Sequence, residues 1–514
     1  MVSILWVDDE IDLLKPHIIY LNQKGYNVQS SRSGDEALDL LKIETFDLIF
    51  LDENMTGLSG LETLALIKEK YPRVPVIMIT KNEEESIMDE AIGSKISDYL
   101  IKPVNPRQIL LAIKKNIETN QLVRQKMIRK YQSEFNRLSR DISSNLDHNE
   151  WKDLYKRIVF WELEIGSYSD VEISDILEMQ KVQANNQFCK FITKNYKSWL
   201  HNNNSPLLSN KVFQTKVFPE IEKNKTLYFV LIDNLRYDQW KTIEPLVTEN
   251  YKLKSNSLYC SILPTTTQYS RNSIFSGLSS IEIAKKHPKF WRDEFDYENK
   301  NKFEKELLDD QLKKLNLNIN YKFFKVADNK NAIRFKNTLN NLKSNDFSVL
   351  VYNMVDMISH AKKDVKFIKE MIPTEKAYRE LTLSWFKNSE IYQIIKKAKE
   401  IGLKIIITTD HGTIKVDKPS LVSGDKEISN NFRYKTSKQI HSIEKDSLSI
   451  NEPSKFLLPS NSLSSCYIFA KNSTFFVYKN NYNDYVKMFT NTYQHGGISM
   501  DEILIPFIVL IPNQ

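Results

Sequence analysis

The chain opens on five short apolar runs, "VSILWVDD", "YNVQSS", "FDLIFLDEN", "VPVIMIT" and "DYLIKP", separated by stretches of helical spacing. Strands alternating with helices of this length predict a doubly wound parallel sheet over residues 1–120, with right-handed crossovers and helices on both faces. The pattern then changes. In "NQLVRQKMIRKYQSEFNRLSRDI" and the residues after it, apolar positions recur at three and four with almost no glycine, which predicts a helical bundle over 121–205. "HNNNSPLLSN", residues 201–210, reads as a linker. Beyond it "TLYFVLIDN", "FSVLVYNMVD", "LKIIITTD" and "STFFVYKN" alternate again with helical patterns, so 206–514 is expected to be a second, larger α/β domain.

Composition supports this division. At 514 residues the chain exceeds one ordinary domain, and 41% hydrophobic residues suffice for several cores. No apolar run approaches the ~20 residues of a membrane span, and "MVSILWVDDE" turns acidic at once, so a cytoplasmic protein without membrane insertion is expected. Cys189, Cys260 and Cys466 have no paired spacing, which predicts buried apolar fillers rather than disulfides or a cysteine zinc site. The net charge of +7 permits an anionic partner without demanding one.

Polar residues in the first domain fall at consecutive strand ends: Asp8 and Asp9, then Asp52, then Thr80, then Lys102. In such a fold these ends converge. Three carboxylates at close quarters call for a cation, and hard oxygen donors with room for a phosphate suit Mg²⁺. One carboxylate would form an acyl phosphate, with Lys102 neutralising it and Thr80 hydrogen-bonding it. "WVDDE", "LDENMTG", "MIT" and "YLIKP" resemble a response-regulator receiver domain of flavodoxin-like fold. The resemblance implies Asp52 as phosphoacceptor and Asp8, Asp9, Asp52 and the Asn54 carbonyl as the Mg²⁺ site. It further implies Thr80, Tyr99 and Lys102 as switch residues, a sensor histidine kinase as partner, and a homodimer on phosphorylation.

The second α/β domain also places polar residues after its strands. Asp233 follows "TLYFVLI"; Asp356 and His360 sit four apart in "VDMISH", on one face of a helical turn; Asp410 and His411 end "IIITTDHGT". His495 precedes Gly496 and Gly497, which would let the backbone approach an ion closely. Mixed carboxylate and imidazole donors suit zinc. "LPTTTQYSRNSIF" sets Thr265, Thr266 and Thr267 before an apolar helical pattern, where a hydroxyl meets free N–H groups or merely caps the helix. Arg271, four residues after Thr267, would share its face and clamp a phosphate. Arg433 and Lys435, in the lysine-rich "VSGDKEISNNFRYKTSKQI", are further candidates to contact an anionic substrate or else belong to a solvated loop.

The order Asp, Thr, Asp-x-x-x-His, Asp-His, His resembles the alkaline phosphatase superfamily and, within it, the PglZ group. That resemblance implies two Zn²⁺, one held by Asp356, His360 and His495, the other by Asp233, Asp410, His411 and the Thr267 oxygen. It selects Thr267 as the nucleophile that becomes a covalent phosphothreonine, with Arg271 steadying the phosphoryl oxygens. Receiver, helical middle and PglZ-type domain together resemble, over essentially the full length, response regulators linked to type IX secretion. This wider resemblance implies a zinc-dependent phosphodiesterase of linear or cyclic oligonucleotides, dimerising when phosphorylated on Asp52. The alternative is a transcriptional regulator binding a sigma factor, DNA or a nucleotide ligand, with the zinc site structural or sensory. The basic stretch from Arg124 to Lys130 would serve that reading by touching phosphates or else is a solvated helix face, and no compact DNA-reading motif accompanies it.

Overall fold

The structure is a computed structural model that describes residues 2–72, 74–81, 96–168, 171–202, 205–222, 225–292, 300–326, 329–353, 371–424, 431–460 and 465–513. Asp356 and His360 lie outside the described residues. The chain forms two compact units, Met1–Ser133 and Glu134–Gln514.

In the first unit β1 (Ser3–Val7), β2 (Asn27–Ser31), β3 (Leu48–Asp52), β4 (Val76–Thr80) and β5 (Asp98–Ile101) form a parallel sheet in the order β2-β1-β3-β4-β5. This is the flavodoxin-like doubly wound order. Alternate residues of one strand feed opposite cores: Ile4, Trp6 and Phe50 pack on one face, Leu5, Val7 and Leu51 on the other. Burial on both faces is why the central strands read as continuous apolar runs. Every strand points the same way, so Asp8, Asp52, Thr80 and Lys102 leave the sheet at one edge. Gly60 begins the Gly60–Lys70 helix against that edge, where a Cβ would lie 2.3 Å from the Asp52 carbonyl oxygen.

The second unit contains the helices His148–Tyr168 and Val171–His201 and a six-stranded sheet. Its strands are β6 (Leu227–Ile232), β7 (Tyr251–Cys260), β8 (Tyr321–Val326), β9 (Phe347–Tyr352), β10 (Lys404–Thr408) and β19 (Leu504–Pro512), in the order β7-β19-β10-β6-β9-β8. β10, β6, β9 and β8 run parallel, and β19 is antiparallel to both β10 and β7. Asp233 and Asp410 therefore emerge from neighbouring strands at the same end. Three smaller sheets complete the unit: β11 (Ile414–Val416) with β18 (Thr492–Gln494), β12 (Lys418–Gly424) with β14 (Ile440–His441) and β17 (Thr474–Tyr478), and β13 (Tyr434–Ser437) with β15 (Ser447–Ile450) and β16 (Cys466–Ala470), among the described residues. The stretch read as a linker packs where it is described: Leu208 and Ser209 are buried, and Leu208 pairs with Cys260. All three cysteines are buried and none forms a disulfide. No helix among the described residues is long and apolar enough to cross a membrane.

Candidate active site

In the first unit Asp8, Asp9 and Asp52 each offer an oxygen within 4.8 Å of the others. The Lys102 ammonium bridges two of them, donating to Asp8 Oδ2 at 2.8 Å and Asp52 Oδ2 at 2.9 Å. Burial pushes the Asp52 carboxyl above its ordinary range, and the Lys102 bond only partly opposes this while Asp8 and Asp9 add to it. Burial would lower Lys102, but its two carboxylate partners outweigh that and hold it charged. One ammonium against three carboxylates leaves net negative charge, which fits a hard divalent cation such as Mg²⁺. The Thr80 hydroxyl donates to the buried Glu53 carboxylate. Glu53 was not singled out by the sequence; its signal is that it follows Asp52 directly as the strand ends. Tyr99, on β5, is 41% exposed, and Asn54 is exposed beyond β3.

In the second unit Asp233, Asp410 and His411 are buried, with one donor atom of each within 4.8 Å of the others. His411 Nε2 lies 3.9 Å from Asp233 Oδ1, 3.8 Å from Asp410 Oδ2 and 3.0 Å from the Thr267 hydroxyl oxygen. Two carboxylates, an imidazole nitrogen and a hydroxyl at these separations are a donor set that fits zinc. Burial would raise the Asp410 carboxyl, but Arg271 and His411 beside it hold it low.

The turn that carries Thr267 is fixed from two sides. Ser261 Oγ donates to the Asp410 carbonyl at 2.7 Å, and the Leu263 N–H donates to the Tyr196 hydroxyl of the Val171–His201 helix at 2.8 Å. Thr265 is buried, donating to the Gly497 carbonyl at 3.0 Å and accepting from the Gly496 N–H at 3.1 Å. Thr266 is also buried, leaving Thr267 as the half-exposed member of the three. It begins a π-turn, Thr267–Arg271, that runs into the short Asn272–Ser276 helix. The β11/β18 ribbon pairs Ile414 with Gln494 and so brings His495 beside His411, their rings stacked 4.3 Å apart. Gly412 lets the loop in at all, since a Cβ there would lie 2.0 Å from the Asp501 carbonyl oxygen.

Four expectations are corrected. Arg271 is not open to a phosphate: it is fully buried, and its guanidinium is bound to Asp233 Oδ2, to Asp410 Oδ2 at 2.9 Å and to Asn353 Oδ1 at 3.0 Å. Arg433 is not on a solvated loop facing substrate either; it is buried against the Glu502 carboxylate at 2.6 Å, because β13 folds into a sheet. Lys435, one turn of the pleat further, is buried with its ammonium over the Phe432 and Tyr478 rings. Gly497, expected to let backbone approach an ion, instead makes room for the Ala470 carbonyl and the Arg433 guanidinium.

One buried network escaped the sequence reading. Arg236, three residues beyond Asp233, is fully buried and binds Asp238 and Glu375, with the Tyr378 and Tyr493 rings 5.3 and 5.6 Å from its guanidinium. Arg379 joins Asp238 at 3.3 Å; nearby, Lys181 reaches Glu162 at 3.1 Å and Asp501 at 3.3 Å, and Tyr155 donates to Asp501 at 2.8 Å. Glu162, Lys181 and Tyr155 belong to the middle helices, so these helices buttress the loops that carry Asp233 and Gly412. Isolated charges scattered over the sequence give no sign that they pair.

The family described as BREX system PglZ alkaline phosphatase-like domain matches residues 212–510, the PorX response regulator linker domain residues 121–200, and the response regulator receiver domain residues 4–114. The alginate biosynthesis transcriptional regulatory protein AlgB of Pseudomonas putida is 36% identical over 119 residues, 23% of this chain and 27% of that protein. The transcriptional regulatory protein ResD of Bacillus subtilis is 35% identical over 112 residues, 22% of this chain and 46% of its own. The chain thus spans between about a quarter and a half of the length of these curated relatives. The solved chemotaxis protein CheY4 of Vibrio cholerae is 28% identical, covering 23% of this chain and 98% of its own, with a TM-score of 0.22. With more than half of its length matched by one family, the chain belongs to the PglZ alkaline phosphatase-like family, in the arrangement of a PorX-type response regulator: receiver, linker and PglZ output domain.

Proposed function

We propose that the chain is a zinc-dependent phosphodiesterase acting on linear or cyclic oligonucleotides, controlled by phosphorylation of Asp52 by a sensor histidine kinase. The phosphorylated receiver dimerises, and the output regulates type IX secretion. The observation that carries the reading is the half-exposed Thr267 hydroxyl, 3.0 Å from His411 Nε2 at the buried Asp233, Asp410 and His411 cluster.

Asp233, Asp410, His411 and Thr267 would hold one cation, and His495 would hold a second with Asp356 and His360. Such cations lower the effective pKa of a hydroxyl and neutralise charge on the attacking and leaving oxygens. Thr267 Oγ1 attacks the phosphorus; the Oγ1–P bond forms, the ester P–O bond breaks, and the alcohol leaves with a proton. Water then cleaves the phosphothreonine and restores the hydroxyl. Ser261 and Thr265 keep the Thr267 turn in register with the Asp410 and His495 loops, so the reacting oxygen is positioned before substrate arrives. In the receiver, Lys102 steadies the phosphoryl group on Asp52 and Thr80 exchanges Glu53 for a phosphoryl oxygen. Mg²⁺ would be held by Asp8, Asp9, Asp52 and the Asn54 carbonyl, and Tyr99 would report the switch. The test is turnover of oligonucleotides and of a chromogenic phosphodiester by the zinc-loaded chain, with and without phosphorylation. Inactivity on all of them would sink the reading.

A further inference from the structure

Arg271 is fully buried against the Asp233 and Asp410 carboxylates. Its Nε donates to Asp410 Oδ2 at 2.9 Å, a second nitrogen pairs with Asp233 Oδ2, and Nη1 donates to Asn353 Oδ1 at 3.0 Å. Behind it the buried Glu304 carboxylate approaches Nη1 at 3.6 Å and takes the Lys325 ammonium at 3.0 Å. Lys325 also donates to the Asn301 carbonyl at 2.9 Å, and Asn301 donates to the Thr267 carbonyl at 3.0 Å.

We propose that Arg271 is a positioning residue of the metal centre, holding the Asp233 and Asp410 carboxylates in the orientation that receives the cation, with Glu304 as the counter-anion that lets a guanidinium sit so close to a divalent ion. The inference rests on the metal-dependent reading above and deepens it. A planar guanidinium fixes two carboxylates at once in a way that an ammonium cannot. Outer partners of this kind are what orient metal ligands. The charges also suit a cation: three carboxylates, Asp233, Asp410 and Glu304, against Arg271 and Lys325 leave the site negative. Without Glu304 the guanidinium would repel the ion it prepares for. The same chain of contacts, Glu304 to Lys325 to Asn301, ends on the backbone of Thr267, so ligands and nucleophile share one support.

The test is cobalt(II) binding to the full chain, by competition with a chromogenic chelator and by the visible absorption of the bound ion, in wild type, Arg271→Lys and Glu304→Gln. Arg271→Lys keeps the charge and loses the fork; affinity is expected to fall about 10- to 100-fold with an altered spectrum. Glu304→Gln leaves Arg271 uncompensated and is expected to weaken binding several-fold. Melting in excess chelator identifies folded protein; should Arg271→Lys not fold, Glu304→Gln alone decides. Wild-type affinity and spectrum in the folded variants, with only KM for a phosphodiester raised, would overturn the proposal and return Arg271 to the substrate. A wild-type chain that binds no divalent ion overturns the metal-dependent reading itself, and this inference with it.

Discussion

The Thr267 hydroxyl oxygen and His411 Nε2 are 3.0 Å apart, although 144 residues separate them in sequence. The Ser261 hydroxyl bond to the Asp410 carbonyl ties the threonine turn to the loop that carries His411, and the parallel pairing of β6 and β10 sets Asp233 beside that loop. Its neighbours differ. Thr266 Oγ1 is buried with no hydrogen-bond partner among the described residues, whereas Thr265 Oγ1 links to both Gly496 and Gly497. Thr266→Val is expected to leave stability within about 0.5 kcal/mol and turnover intact, while Thr265→Val costs about 1–3 kcal/mol through the stranded Gly496 and Gly497 groups. Thermal melts with steady-state rates separate the two, and inactivation by Thr266→Val would speak against Thr267 as nucleophile.

Gly412 is a steric requirement with no conformational component. A methyl group there would meet the Asp501 carbonyl at 2.0 Å, and backbone cannot yield cheaply. Gly412→Ala should destabilise the second unit by about 1–3 kcal/mol and, by moving Asp410 and His411, weaken metal binding. Urea melts and a metal titration check both effects.

The Arg236 network sets an acid limit. Burial would raise Asp238 and Glu375, but Arg236 outweighs it and holds both below their ordinary values of 3.8 and 4.5. A lowered folded-state value means the stabilisation is complete above those ordinary values and drains away as pH falls below them toward the folded ones. Arg236→Met strands a buried carboxylate at Asp238, should cost about 3–5 kcal/mol at neutral pH, and should flatten this acid limb. Denaturant unfolding across pH 3 to 7 reads it out, and an unchanged limb would remove Arg236 as the cause.

In the receiver the sign reverses. The Asp52 carboxyl is raised by burial, so its contribution is present below its unfolded value and is lost as pH rises through the folded one. Without divalent ions, Asp52→Asn should therefore stabilise the receiver at neutral pH, raising its Tm by roughly 2–5 °C. Mg²⁺ at ~100 times its Kd should add about 2.7 kcal/mol to wild type and far less to Asp52→Asn. Calorimetry with and without Mg²⁺ tests both, and an equal response of the two proteins would exclude Asp52 from the ion site.

The doubly wound receiver order was legible because strands buried on both faces, such as Leu48–Asp52, print unbroken apolar runs with a carboxylate at the end. Asp233, Asp410 and His411 were legible for the same reason: parallel strands fix where their carboxyl ends meet. Arg271 was misread because four-residue spacing from Thr267 says which side of a turn it occupies but not that Asp233, Asp410 and Glu304 converge on it from distant elements. Arg433 and Lys435 were misread because a polar, lysine-rich stretch gave no hint of β13, on which Lys435 is covered by aromatic rings and just before which Arg433 is covered by Glu502. Glu53 and Arg236 were missed because their partners are set by tertiary folding.

The role proposed for Thr267 is that of nucleophile in a metal-dependent phosphoester hydrolase. The most direct measurement is hydrolysis of bis(p-nitrophenyl) phosphate by zinc-loaded wild type and Thr267→Val at matched metal content, each repeated after chelation. Wild type should turn over, lose activity to the chelator and regain it with zinc, while Thr267→Val should be slower by at least about 10³-fold with its metal retained. Equal turnover by the folded, metal-loaded Thr267→Val protein, or a wild-type rate indifferent to chelation, would contradict it.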